Sequence, residues 1–294
     1  MSRTIVVGLD GSPESLAAAE WAAREARLTD TRLHLVHAWL WHPYVYGPLA
    51  GVSVPPPAED PQRAWAERLP HETAAKLTAD HPGLSVAAER VAEQPVTALL
   101  AAAEDAELLV LGSRGLSGIA GFLTGSVAQS VVARSRTPVV LVRAGARPEE
   151  ASGREDVVLG LDLEHPDASV LGFAFRAAAR RAVGLSVVHG WSLPPYYGYG
   201  GATDAAVNAR LIAEAQQRLT EVLSPWREKF PGVEVREQAV IGGAAPHLVE
   251  ASRNAALVVV GRRNRQAPVG THIGPVTQAV LHHSTAPVAV IPHD

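Results

Sequence analysis

The chain repeats itself once, and that repeat constrains its fold more than any other feature. Ile5-Val6-Val7-Gly8-Leu9-Asp10 recurs as Val157-Val158-Leu159-Gly160-Leu161-Asp162, and Leu35-Val36-His37-Ala38-Trp39 recurs as Val187-Val188-His189-Gly190-Trp191, both at an offset of 152 residues. Leu108-Leu109-Val110-Leu111-Gly112 recurs as Leu257-Val258-Val259-Val260-Gly261, and Thr137-Pro138-Val139-Val140-Leu141-Val142 as Ala286-Pro287-Val288-Ala289-Val290-Ile291, both at 149. Four blocks in one order imply two copies of one structural plan. The length of 294 residues agrees, being about twice a usual domain. The polar stretch from Gly145 to Arg154 has the composition of a linker, which gives domains at residues 1–145 and 154–294.

Within the first copy, runs rich in Val, Ile and Leu predict buried strands at Thr4 to Leu9, Leu33 to Ala38, Leu84 to Val91, Leu108 to Gly112 and Pro138 to Val142. Alanine-rich stretches between them predict helices at Pro13 to Leu28, Pro61 to Asp80, Pro95 to Asp105 and Ser126 to Ser135. Ser12-Pro13 supplies an N-cap followed by proline at the first helical position. Alternation of strand and helix implies right-handed βαβ units. The expected fold is α/β: two tandem doubly wound domains, each an open five-stranded parallel sheet with helices on both faces, Rossmann-like.

Composition narrows the function classes. The chain is 47% hydrophobic and 19% charged, which excludes a disordered chain. Zero cysteines exclude a disulfide framework and a thiolate nucleophile or metal site. A net charge of −4 offers no basic field for nucleic acid. No apolar run approaches a membrane span or a signal-peptide core, so the expectation is a soluble, cytoplasmic protein that engages neither nucleic acid nor membrane.

The loop after the fourth strand carries the chemistry. Gly112-Ser113-Arg114-Gly115 is followed, nine residues on, by Gly125-Ser126-Val127-Ala128 at the start of a helix. Glycines allow close backbone approach to a ligand, successive amides form an anion nest, and a helix N-terminus favours phosphate. The Ser113 and Ser126 hydroxyls add donors, and Arg114 adds charge.

This Gly-x2-Gly-x9-Gly-Ser spacing, with Asp10 after the first strand, resembles the ATP-binding subclass of the universal stress protein family, in the tandem-domain form common in actinobacteria. The resemblance covers essentially the whole chain, twice. It implies an adenine-nucleotide alpha-hydrolase-like fold and ATP as the ligand. By that resemblance Gly8 and Asp10 lie under the adenosine, with the Asp10 carboxylate near the ribose, and Ala38 touches adenine through its backbone. Leu111, Gly112, Arg114, Gly115, Gly125, Ser126, Val127 and Ala128 would wrap phosphates and ribose. In the family, strands equivalent to Pro138–Val142 pair across a dimer interface. Here the two halves can pair within one chain as a pseudo-dimer, and a further homodimer is compatible with the sequence.

The second copy departs from this pattern. Gly160, Asp162 and Gly190 are the counterparts of Gly8, Asp10 and Ala38. Gly261-Arg262-Arg263-Asn264 places asparagine where the second glycine would stand, and Gly274-Pro275-Val276-Thr277 places proline opposite Ser126. Pro275 removes an N–H and a hydroxyl. Glu164 brings an anionic residue near, and Arg262, Arg263 and Arg265 offset it. The expectation is a second site that binds nucleotide more weakly or not at all.

Two aromatic segments, Trp39 to Asp60 and Trp191 to Gly201, are either surface loops or lids over a bound ring or between domains. His37 and His189 are expected as core or rim residues without metal-ligand spacing, and His282-His283 as a solvated pair at a helix end. Asp10 with Glu14 or Glu25 is conceivable as an acid/base pair, with nothing to fix the separation. Neither a dinucleotide glycine motif after the first strand nor a P-loop is present. The functional expectation is nucleotide-dependent stress signalling with an unnamed protein partner. The alternatives are a nucleotide-independent scaffold, or a slow ATPase in which magnesium bridges the phosphates near Asp10 or Ser126.

Overall fold

In the computed structural model, residues 3–40, 61–113, 125–145, 155–191, 205–264 and 273–294 are described, without the side chains of 205–207. The first half contains β1 (Thr4–Gly8), α1 (Pro13–Thr29), β2 (Arg32–Ala38), α2 (Pro61–Asp80), β3 (Val86–Val91), α3 (Pro95–Ala103), β4 (Leu108–Gly112), α4 (Ser126–Arg134) and β5 (Val139–Val142). The second contains β6 (Asp156–Gly160), α5 (Ala168–Arg181), β7 (Leu185–Trp191), α6 (Ala205–Lys229), β8 (Val235–Ile241), α7 (Ala244–Ala251), β9 (Ala255–Arg263), α8 (Pro275–His283) and β10 (Val288–His293). Each predicted first-half element is present. The third strand begins two residues later than expected, at Val86, and α3 stops at Ala103, where Glu104 and Asp105 turn the chain.

The ten strands form one sheet in the order β3-β2-β1-β4-β5-β10-β9-β6-β7-β8. Pairing is parallel within each half. The halves join by the antiparallel pair β5–β10, with Val288 opposite Leu141, Ala289 opposite Val140 and Val290 opposite Val139. The pseudo-dimer expected from the apolar terminal strands therefore forms within the chain. Because the halves run in opposite directions, the carboxyl ends of their strands lie at opposite edges of the sheet.

Side chains alternate across the pleat, so each strand feeds two cores. Ile5, Val7, Val140, Val142, Ala289 and Ile291 join the core beneath α1, α2, α5 and α6. Val6, Val139, Leu141, Val288 and Val290 join the core beneath α3, α4, α7 and α8. Both cores run unbroken through the junction of the halves.

Helix α1 illustrates the local logic. Ser12 accepts the Ser15 N–H at 3.2 Å, Pro13 occupies the first turn, and Asp30 ends the helix in left-handed geometry at φ 50°. Ala18, Ala19, Ala22, Ala23 and Ala26 are buried, so α1 lies close on the sheet. A Cβ at Gly112 would stand 2.6 Å from the Glu14 carbonyl carbon and 2.7 Å from the Ser15 nitrogen. Glycine is needed there for packing, whatever the loop beyond it binds.

Candidate functional site

At the carboxyl edge of the first half lies a cavity of about 340 Å3. Gly8, Leu9, Asp10, Ala38, Leu111 and Gly112 line it from the strand ends, and Gly125, Ser126, Val127 and Ala128 from the start of α4. Ser12, Ser15, Val36, Pro95 and Leu99 complete the wall. The strands splay where β1 leads to β2 on one side and to β4 on the other, which is where such sheets leave a crevice.

All four helices of the first half begin at this edge, and α1, α3 and α4 contribute residues to the cavity wall. Ser12 caps α1, whereas α3 and α4 have no side-chain cap, and their first-turn N–H groups give the cavity a positive rim. Gly125 is the N-cap of α4 and has no side-chain capping bond. Asp10 lines the same cavity, and its carboxylate accepts the Ser12 N–H at 2.9 Å. Its backbone N–H reaches the Ser15 hydroxyl at 3.3 Å. Gly11 turns at φ +79°, and a Cβ there would lie 2.5 Å from the Trp65 ring. Val36, Leu99 and Leu111 are nearly inaccessible to water and make the apolar part of the wall.

Nine of the twelve residues expected in the first half meet in this cavity. Arg114 and Gly115 lie outside the described residues, as do most of the two aromatic segments and Arg265. Ser113 is placed elsewhere. It is buried, its N–H donates to the Val142 carbonyl at 2.7 Å, and its hydroxyl lies 3.3 Å from the same oxygen. It ties β4 to β5 and its hydroxyl is spent there. Glu25 is likewise excluded as a partner of Asp10, because it sits near the far end of α1 against Arg181.

The wall residues missed from sequence are Leu9, Ser12, Ser15, Val36, Pro95 and Leu99. Pro95 had a usable signal, since a proline that opens a helix after a strand marks a helix N-terminus at the carboxyl edge. His37 also contributes: its Nδ1 donates to the Leu9 carbonyl at 2.8 Å and so holds the segment that leads into Asp10. His189 repeats this bond to Leu161 at 2.9 Å. Both histidines are buried, in line with the expectation of core or rim residues, and His189 borders the cavity of its own half.

The second half has its own cavity, about 380 Å3, at the opposite edge. Gly160, Asp162, Gly190, Gly261, Arg262, Arg263, Gly274, Val276 and Thr277 all border it, with His165, Asp167, His189 and His293. Its chemistry differs from the first. Asp162 Oδ2 accepts from Arg263 at 2.8 Å and Oδ1 from the Glu164 N–H at 3.0 Å. Burial pushes the Asp162 carboxyl up, but the Glu164 N–H, Arg263 and His165 outweigh it and hold its pKa below the ordinary value. Pro275 opens α8 where Ser126 opens α4. Thr277 donates to the Gly261 carbonyl at 2.9 Å and is turned inward.

One expectation for this half is corrected. The sequence predicts Arg262 as compensating charge at the second site; the residue borders that cavity, but its guanidinium donates to the Ala133 carbonyl of the first half at 3.2 Å. The carbonyls at the end of α4 draw it across the junction and offset the cost of burying its charge.

Among the described residues, no helix is long and apolar enough to cross a membrane. The family model for the universal stress protein family matches residues 1–143 and again 153–292. The universal stress protein Rv2005c of Mycobacterium tuberculosis is 35% identical over 295 residues, covering 97% of this chain and 96% of that protein. A universal stress protein crystal structure from Archaeoglobus fulgidus shares the fold across 100% of both chains, with a TM-score of 0.70 at 19% identity. Another solved universal stress protein, in complex with cAMP, aligns with 49% of this chain at 32% identity and a TM-score of 0.37. The repeat, the doubly wound halves and the two-fold match along the sequence have one reading: this chain belongs to the universal stress protein family.

Proposed function

We propose that the chain is an adenine-nucleotide-binding module that holds ATP in the first-half cavity and uses its occupancy to signal in a stress response. The observation that carries this reading is that one cavity is lined both by the N-terminus of α4 at Gly125–Ser126, which has no side-chain cap, and by Asp10. Phosphates suit the first and ribose hydroxyls suit the second. The apolar patch of Val36, Leu99 and Leu111 suits a base, with the Ala38 backbone beside it. Gly112, Val127 and Ala128 close the phosphate end, and Arg114 and Gly115 belong to the same loop in sequence. Where magnesium accompanies ATP, Asp10 and Ser126 are the nearest oxygen donors in this reading.

The second cavity is proposed to bind nucleotide more weakly or not at all. Its aspartate is already engaged by Arg263, and Pro275 offers neither the N–H nor the hydroxyl that Ser126 has. The domains are taken as residues 1–145 and 154–294.

Calorimetric titration of the nucleotide-free chain with ATP tests the reading. One ATP per chain is expected, lost in Asp10→Ala and Gly125→Val and retained in Gly274→Val. Absence of ATP binding by the wild-type chain overturns it, and loss on Gly274→Val alone reverses the ranking of the cavities.

A further inference from the structure

Helix α4 has nine residues. Its N-terminus borders the first cavity, and its C-terminus is held from the other half of the molecule. Arg262 donates to the Ala133 carbonyl at 3.2 Å, to the Ser135 carbonyl at 2.5 Å and to Asn264 Oδ1 at 3.0 Å. It stands in β9 between Gly261 and Arg263, both on the wall of the second cavity. Arg262 is 5% exposed.

The converse arrangement is also present. Arg143, which follows β5, donates to the Leu281 carbonyl at 3.2 Å and to the His282 carbonyl. Those carbonyls end α8, whose first turn borders the second cavity. The antiparallel junction makes both contacts reachable, because it sets the tail of each half's helix at the edge where the other half's cavity opens.

The repeat does not account for the two arginines. By the 149-residue offset, Arg262 corresponds to Ser113 and Arg143 to Pro292. Two residues at unrelated positions reach equivalent ends of equivalent helices. What they have in common is the helix tail, so the tail is where their role lies.

We propose that Arg262 and Arg143 are positioning residues that tie each half's ligand-facing helix to the opposite half, so that anion affinity in one cavity depends on an arginine supplied by the other half. The effect has two physical parts. The guanidinium fixes where the helix lies along its axis, and its charge offsets the negative pole, leaving the positive pole at the N-terminus less compensated. Burial lowers the pKa of both guanidinium groups below the ordinary value, yet arginine stays charged throughout the working range. An occupant that displaces Gly261 or Arg263 is therefore felt at Ser126, about 14 Å away along α4.

The inference rests on the nucleotide reading of the first cavity, and the test separates the two. ATP, adenosine and inorganic tripolyphosphate are titrated calorimetrically into the full chain and into Arg262→Gln and Arg262→Lys, well below each protein's unfolding temperature. In Arg262→Gln, ATP and tripolyphosphate are expected to bind about three- to tenfold more weakly, with adenosine affinity unchanged and Arg262→Lys intermediate. A merely structural arginine would weaken ATP and adenosine alike, and that result overturns the inference. So does unchanged ATP affinity in Arg262→Gln. Should that variant fail to fold, Arg262→Lys carries the same comparison. Wild-type binding of tripolyphosphate without ATP overturns the nucleotide reading alone, and the arginine comparison proceeds on tripolyphosphate. Wild-type binding of neither overturns both.

Discussion

Arg181, in the last turn of α5, places its guanidinium on the Glu25 carboxylate of α1, and the two side chains are 6% and 8% exposed. This ion pair bridges the two halves on the sheet face opposite α4 and α8. The Arg181 guanidinium also lies 5.8 Å from the centroid of the Trp21 ring, and Arg180 reaches Glu107 at 3.2 Å.

Removing one partner of such a pair leaves a charge buried, which typically costs about 3–5 kcal/mol. Glu25→Gln is expected to lower unfolding stability by about that amount, measured from the urea midpoint. The paired replacement Glu25→Leu with Arg181→Met is expected to recover most of the loss, since apolar groups of similar volume replace buried ion pairs well.

Glycines of the same motif are expected to respond in opposite ways. Gly112→Ala drives a Cβ into the α1 backbone and is expected to destabilise by about 1–3 kcal/mol. Gly274→Ala meets nothing within 4 Å among the described residues and is expected to stay within about 0.5 kcal/mol of wild type. Thermal melts of the two variants side by side check this.

Asp167 caps α5 by accepting the Ser169 N–H at 2.8 Å. Burial pushes its carboxyl up, but the Ser169 hydroxyl and N–H and the nearby His293 outweigh it and keep its pKa below the ordinary value. A depressed carboxylate contributes stability that is present above its unfolded pKa of about 3.9 and lost as pH falls through the folded value. Asp167→Ala is therefore expected to cost about 1 kcal/mol at pH 7. The difference from wild type should narrow as pH falls below about 3.9, in urea titrations at both pH values.

In the second cavity Arg263 and Pro275 are separate obstacles. Arg263→Gln is expected to let the Asp162 carboxyl titrate higher, read from its side-chain carbon resonance, while ATP stoichiometry stays at one. Arg263→Gln with Pro275→Ser is expected to raise the stoichiometry toward two.

The strands of the first half were legible from their apolar runs, and three of its four helices from an opening proline as well as an alanine-rich run. Pro13, Pro61 and Pro95 open α1, α2 and α3 where expected. Pro70 within α2 and Pro225 within α6 interrupt neither helix, against the usual penalty. The strand-end glycines and Asp10 were legible because backbone position alone puts them at the carboxyl edge. The destinations of Ser113 and Arg262 were not, because a side chain's partner depends on which strand of the other half comes alongside. Ser113 lies beside β5, and its counterpart Arg262 lies beside the end of α4 across an antiparallel seam that no local pattern encodes. Trp65 was equally hidden: α2 brings it edge-on to His37, with centroids 5.5 Å apart, from a helix whose start lies 23 residues beyond β2.

The reversal of direction at β5–β10 also decides who can see what. The two mouths open at opposite edges of the sheet, so a protein that docks over one of them has no view of the other. A change at one mouth can reach the other only through the body of the molecule.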